Sequence, residues 1–149
     1  MAVDVFGPCL LVEDMPASAR FYIQHFGFQP RVALDWFATL SHQDRPLRAR
    51  LRGADHDTVP EGNRGRGTQG LIIGLLVPDA AAVDARLRAA GVRVVLPLRD
   101  EPFGQRHVMV ADPNDVLVDV VQPIPVDPDW LARQRPTSLA SLPDADAAS

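Results

Sequence analysis

Lysine is absent from these 149 residues, cysteine and tyrosine occur once each, and glutamate only three times. Without lysine there is no Schiff-base nucleophile and no Walker-type phosphate grip. A single cysteine, Cys9, excludes an internal disulfide framework and a cysteine-based zinc site. No apolar run approaches the ~20 residues of a membrane-crossing helix. The opening MAVDVFGP has no basic segment ahead of an apolar stretch, so no secretory signal is expected. A cytoplasmic protein is therefore the default expectation. No Ser-His-Asp order, phosphate-loop pattern or glutamate pair is visible.

All 15 basic residues are arginine, and 16 of the 19 acids are aspartate. Together with the abundant Ala, Val and Pro, this matches a GC-rich genome and says little about chemistry. The net charge of -4 argues against binding a nucleic-acid backbone, which needs clustered positive charge. An apolar content of 46% supports a sizeable core. The length suits one globular domain, or two small modules sharing one core. A wholly disordered chain, a collagen and a coiled coil are excluded.

The chain repeats itself. Leu10-Leu11-Val12-Glu13-Asp14 leads into a helical stretch ending at Gly27, and Leu75-Leu76-Val77-Pro78-Asp79 into one ending at Gly91. The offset is 65 residues at the aspartates and 64 at the glycines. In the first copy a strand is expected over 5–12. Asp14 caps the helix, Pro16 sits in its first turn, and Gly27 supplies the left-handed end. Ala19, Tyr22, Ile23 and Phe26 form its apolar stripe. Strands follow at 28–34, 36–41 and 46–52. The second copy predicts a strand over 71–77, a helix over about 80–90 with Val83, Leu87 and Ala90 inward, and strands at 92–97, 106–111 and 116–122. Asp112-Pro113-Asn114-Asp115 is the turn of the last hairpin. The expected units are a first module at 4–52, a Gly/Asp/Arg-rich linker at 53–70, a second module at 71–123, and a partly disordered tail at 124–149. Within that tail, Trp130 and Leu131 stand out as a turn that docks on the body or on a second subunit.

A doubled strand-helix-three-strand unit resembles the vicinal-oxygen-chelate superfamily: glyoxalases, extradiol dioxygenases, fosfomycin-modifying enzymes and bleomycin-resistance proteins. VEDMPASARFYIQHFGF, residues 12–28, resembles its first-helix segment. DEPFGQRHVMVADPNDVLVDVV, residues 100–121, resembles its closing hairpin. The resemblance spans about 4–123. It implies an α+β fold of two βαβββ modules whose sheets form a half-open barrel around a ligand crevice. It also places metal ligands on the first and last strand of each module. Those positions fall here on Gly7, Arg50, Ile72 and Asp119, of which Asp119 alone could bind a cation. Pro8, Asp35-Trp36-Phe37-Ala38 and Pro102-Phe103-Gly104 instead resemble the metal-free, bleomycin-binding branch, in which two chains wall the drug clefts.

That resemblance implies a metal-free homodimer that sequesters an aromatic or peptide-like natural product, for antibiotic resistance or self-protection. No cofactor, metal, catalytic group, nucleic acid or membrane is then expected. The expected ligand wall is Trp36, Phe37, Arg48, Arg50, Phe103, Gly104, Gln105, His107 and Asp119. Plainer readings stand beside it. Trp36 and Phe37, as strand neighbours, point to opposite faces, so one of them is core. Arg48 and Arg50 share one face, either solvated or lining the crevice, where Arg50 would pair with Asp119. Cys9 reads as a buried small hydrophobe. His25 is expected on the exposed side of its helix and His56 in the linker. Two other functions remain: a metal-dependent lyase or dioxygenase using His42, His107 and Asp119, or a metal-free isomerase or cyclase with His107 or Asp119 as general base.

Overall fold

The computed structural model describes residues 7–43, 45 and 47–134. In the first module β1 (Cys9–Val12) leads to α1 (Met15–Phe26), then β2 (Phe28–Ala33), β3 (Phe37–His42) and β4 (Arg48–Gly53). The second module repeats the order: β5 (Ile72–Leu76), α2 (Ala80–Ala89), β6 (Val94–Glu101), β7 (Gln105–Ala111) and β8 (Leu117–Pro123). A short helix, α3 (Pro128–Ala132), follows. Among the described residues, no helix is long and apolar enough to cross a membrane.

Local chemistry sets the repeated ends. The Asp14 carboxylate accepts from the Ala17 amide at 2.9 Å, and Asp79 accepts from Ala82 at 3.0 Å, each capping its helix. α1 stops at Gly27, whose φ of +71° is the left-handed conformation that returns the chain into β2.

Each module builds one open, mixed sheet. The orders are β1-β4-β3-β2 and β5-β8-β7-β6, with the first pair parallel and the rest antiparallel. These are the two βαβββ modules of a half-open barrel, an α+β architecture. Burial alternates along the strands with period two. Leu10, Val12, Ala38, Leu40, Ala49 and Leu51 are buried, while Cys9, Leu11, Phe37, Thr39, Arg48 and Arg50 between them are more accessible. The second sheet buries Val108, Val110, Val118 and Val120, and its other face carries Ile72, Gly74, Leu76, Met109 and Asp119. The buried faces of both sheets merge, with Phe21, Tyr22 and Leu87 of the helices, into one core.

Hydrogen bonds tie the modules together at the Asp112–Asp115 turn. Tyr22 donates to Asp112 at 2.8 Å, Asn114 donates to the Ser18 hydroxyl at 2.9 Å, and the Glu13 amide donates to Asn114 at 3.1 Å. The turn expected to close a hairpin therefore also locks α1.

Several expectations are corrected. β1 begins at Cys9, not residue 5; residues 5 and 6 lie outside those described, as does 135–149 of the tail. Cys9 is exposed, because alternation puts Leu10 and Val12 inward instead. On α1 the most buried residues are Met15, Ser18, Phe21 and Tyr22, whereas Ala19, Ile23 and Phe26 pack at the margin. Ala90 is exposed, and His25 is half-buried rather than free. β6 runs on to Glu101 through Pro97, which an edge strand tolerates because its outer amide has no partner. β3 starts at Phe37, so the strand rule does not govern Trp36; the Trp36 and Phe37 rings lie 5.6 Å apart rather than on opposite faces.

Candidate functional site

The antiparallel β7–β8 pair sets Met109 opposite Asp119 and His107 opposite Val121, so His107 and Asp119 are diagonal neighbours on the open face. The β6–β7 pair brings Glu101 opposite Gln105, beside the turn that joins those two strands. The result is a polar triplet. His107 Nδ1 lies 2.9 Å from Asp119 Oδ1, and His107 Nε2 lies 3.2 Å from Glu101 Oε1. Only 4% of His107 is exposed. Arg99 pairs with Glu101 from the outside. The hydrogen bond from His107, opposed by desolvation and then aided by Arg99, holds the Glu101 carboxyl below its ordinary range.

Aromatic rings flank the triplet. Phe103, in the β6–β7 turn, is 43% exposed and meets His107 edge-on, with centroids 6.5 Å apart. Its other neighbour is Trp130 of α3, at 6.0 Å. Gly104 makes this approach possible. Its φ is +95°, and a Cβ there would lie 2.8 Å from Val126 Cγ2 and 3.0 Å from the Ile124 carbonyl oxygen. The chain after β8 crosses at that point, with Ile124 N–H donating to Gly104 O and Asp127 N–H to Pro102 O, both at 2.9 Å. Asp127 then caps α3, which carries Trp130. Phe103, Gly104, Gln105, His107 and Asp119 thus gather in one place. Trp130 docks on its own chain there, and Glu101 joins them although its sequence context gives no sign of it beyond its place opposite Gln105.

The other four expected residues lie elsewhere. Arg48 and Arg50 are exposed on the open face of the first sheet. Arg50 makes no pair with Asp119, whose carboxylate is engaged by His107. Trp36 is stacked on His56 of the linker, with centroids 4.0 Å apart and planes 7° from parallel. Phe37 lies under the Arg52 guanidinium, 5.7 Å away. His42 ends β3, its ring edge-on to Phe28 at 5.8 Å.

A metal does not fit the positions that the resemblance assigns. Across the parallel pairs, Cys9 stands beside Arg50 and Gly74 beside Asp119. The 65-residue repeat also relates Cys9 to Gly74, so Arg50 is the structural counterpart of Asp119. A guanidinium therefore occupies the place of one anionic donor, and Gly7, Gly74 and Ile72 offer no side-chain donor at all. Among the described residues, no three His, Cys, Asp or Glu side chains are arranged to hold an ion.

The family model for the glyoxalase/bleomycin resistance protein/dioxygenase superfamily matches residues 4–120. The chain belongs to that superfamily. Solved structures of superfamily-like fold include TnmS3, an antibiotic binding protein from Streptomyces sp. CB03234. It is 24% identical, with a TM-score of 0.64, 83% of this chain and 98% of that one being covered. TioX from Micromonospora sp. ML1 is 19% identical, with a TM-score of 0.63 and coverage of 82% and 100%. A lactoylglutathione lyase from Agrobacterium tumefaciens is 18% identical, with a TM-score of 0.65 and coverage of 81% and 94%. Curated protein sequences give no match. Solved structures of this fold thus include an antibiotic binding protein and a lyase, and at these identities the likeness shows the fold alone.

Proposed function

We propose that this superfamily member is a metal-free cytoplasmic binding protein that sequesters a small aromatic or peptide-like natural product, for resistance or self-protection. The observation that carries this reading is the His107 triplet with Phe103 edge-on to the imidazole and Trp130 lying against Phe103. Aromatic faces with a few fixed polar groups are what such ligands need. The donor set at the metal positions adds support, since Asp119 is its only anionic side chain, where a chelating enzyme needs three or four converging ligands. TnmS3, a fold neighbour, is an antibiotic binding protein.

The binding form is a homodimer in this reading. β5 is an edge strand without a charged residue, and Ile72 in it and Leu71 just before it are exposed. Such edges are ordinarily covered. Sedimentation equilibrium tests this: a monomer at micromolar concentration removes it.

Titration of bleomycin and of the planar anthracycline doxorubicin, followed by Trp130 fluorescence in a Trp36→Phe variant, tests the binding reading. Saturable one-to-one quenching that weakens in Phe103→Ala supports it. Absence of binding by both compounds, together with stoichiometric uptake of nickel, iron, manganese or zinc, overturns it in favour of a metalloenzyme. The His107–Asp119 hydrogen bond favours one second reading. An imidazole oriented by a carboxylate is also the arrangement of a general base, so a metal-free isomerase or cyclase would use the same residues. Turnover of a bound ligand that is lost in His107→Ala would select that reading.

A further inference from the structure

A second concavity lies away from the His107 triplet. The end of α1, the edge of β5 and the start of α2 enclose a cleft of about 980 Å³ between the modules. Its walls include Ile23, Phe26, Leu75, Val77 and Val83, an apolar set drawn from both modules. The volume is at the upper end of the ~300–1,000 Å³ typical of small-molecule sites. Arg86 sits at one side, donating to the His25 carbonyl at 2.7 Å. Burial, and then the Arg86 charge, hold the His25 imidazole below its ordinary value, so the arginine is the cation there.

This cleft is continuous with a smaller one, about 460 Å³, on the first sheet; the two share His42, Arg45 and Leu47. The smaller one adds Arg31, Arg48 and Ser41. No aspartate or glutamate lines either, among the described residues. Arg31 donates to the Ser41 hydroxyl at 2.6 Å, and neither Arg31 nor Arg48 makes an ion pair among the described residues. Elsewhere Arg88, Arg93, Arg99 and Arg106 each have a carboxylate.

We propose that the intermodule cleft is a second ligand site, which takes an amphipathic anion. The apolar body lies between α1, β5 and α2, and the acidic head rests on the shelf formed by Arg31, Arg45 and Arg48. Guanidinium forks suit a carboxylate, sulfonate or phosphate head, and a cluster of them draws anions of that kind. The body can be acyl or aryl, since the walls combine aliphatic side chains with the Phe26 and Phe28 rings.

The probe is 1-anilinonaphthalene-8-sulfonate, with the uncharged N-phenyl-1-naphthylamine as its matched control. The full chain is expected to bind one sulfonate dye with enhanced emission, and the neutral analogue more weakly. Arg45→Gln/Arg48→Gln removes two exposed cations and is expected to weaken the dye by about tenfold, leaving the neutral analogue unchanged. Leu76→Asp places a carboxylate on an exposed wall of the cleft and is expected to weaken both. His107→Ala is expected to change neither, because His107 lines neither cavity; this separates the second site from the one proposed above. Far-ultraviolet dichroism confirms that each variant is folded. Displacement by dodecanoate marks an acyl body, and displacement by naphthalene-1-carboxylate an aryl one. The proposal is overturned by any of four results: no dye binding, equal affinity for both dyes, wild-type affinity in the arginine double variant, or loss of dye binding in His107→Ala. A dimer that seals the cleft gives the first of these.

Discussion

Tyr22→Phe removes one oxygen from the join between the modules. The phenol is 2% exposed and donates to Asp112 Oδ2 at 2.8 Å. Asp112 is itself 4% exposed, and its Oδ1 accepts from the Asn114 and Val116 amides at 2.7 and 2.9 Å. In the variant Oδ2 loses its donor while the carboxylate stays buried. A hydrogen bond to a charged group is worth about 1.5–3 kcal/mol, which corresponds to a fall in Tm of about 3–12 °C for a domain of this size. Alkali gives a second readout. Burial, then the Asp112 charge and hydrogen bond, push the Tyr22 phenol far above its ordinary value of 10.0. The folded state therefore keeps the proton where the unfolded state loses it. This contribution is complete below pH 10 and declines by about 1.4 kcal/mol per pH unit above it. In Tyr22→Phe that decline is absent, so the two stability curves converge from pH 10 to 11. The background is clean, because Tyr22 is the sole tyrosine and no lysine titrates nearby. Urea unfolding at pH 8, 10 and 11, with tyrosinate absorbance, measures both effects. Parallel curves, or a phenol that ionises near pH 10 in the folded protein, would refute the reasoning.

Gly104→Ala should cost about 2 kcal/mol or more, since φ is +95° and the new methyl meets Val126 and Ile124; urea unfolding measures it, and Trp130 emission should shift as α3 is displaced. His107→Ala should return the Glu101 carboxyl toward its ordinary value of 4.5, read by carboxylate NMR. Because the wild-type value is depressed, Glu101 stabilises the fold above its unfolded pKa and loses that contribution as pH falls through the folded one. The acid-side loss should therefore shrink in the variant. His56→Ala in a Trp130→Phe background should expose one face of Trp36 and red-shift its emission, at a cost of about 0.5–1.5 kcal/mol.

The expected doubled βαβββ order matches the structure because its signals are local. Asp14 and Asp79 cap their helices through residues three positions on, and Gly27 turns the chain by its own φ. Strand faces followed wherever alternation is regular. Cys9 was misplaced by one step of that alternation, and the α1 stripe by a fraction of a turn. Trp36 fell outside its strand, so alternation did not apply to it. Of the nine expected ligand-wall residues, Phe103, Gly104, Gln105, His107 and Asp119 lie on the β6–β7 turn and the neighbouring strands β7 and β8 and converge; Trp36, Phe37, Arg48 and Arg50 belong to the first module. Glu101 was invisible because its role depends on which residue faces it across β6–β7, and β6 has two register shifts on the way.

The amino-acid sequence by itself determined the doubled strand-helix-three-strand order and its helix ends and, with one cysteine, left no internal disulfide to form, since each follows from residue identity and spacing along a few turns of chain. Tertiary structure alone decided that His107 stands between Asp119 and Glu101, that Tyr22 reaches a turn 90 residues away, and that arginines border an apolar cleft. Those meetings depend on strand register and on how one buried sheet face packs against another. Both are settled by burying the whole apolar surface at once, a cooperative choice that no short window of sequence contains.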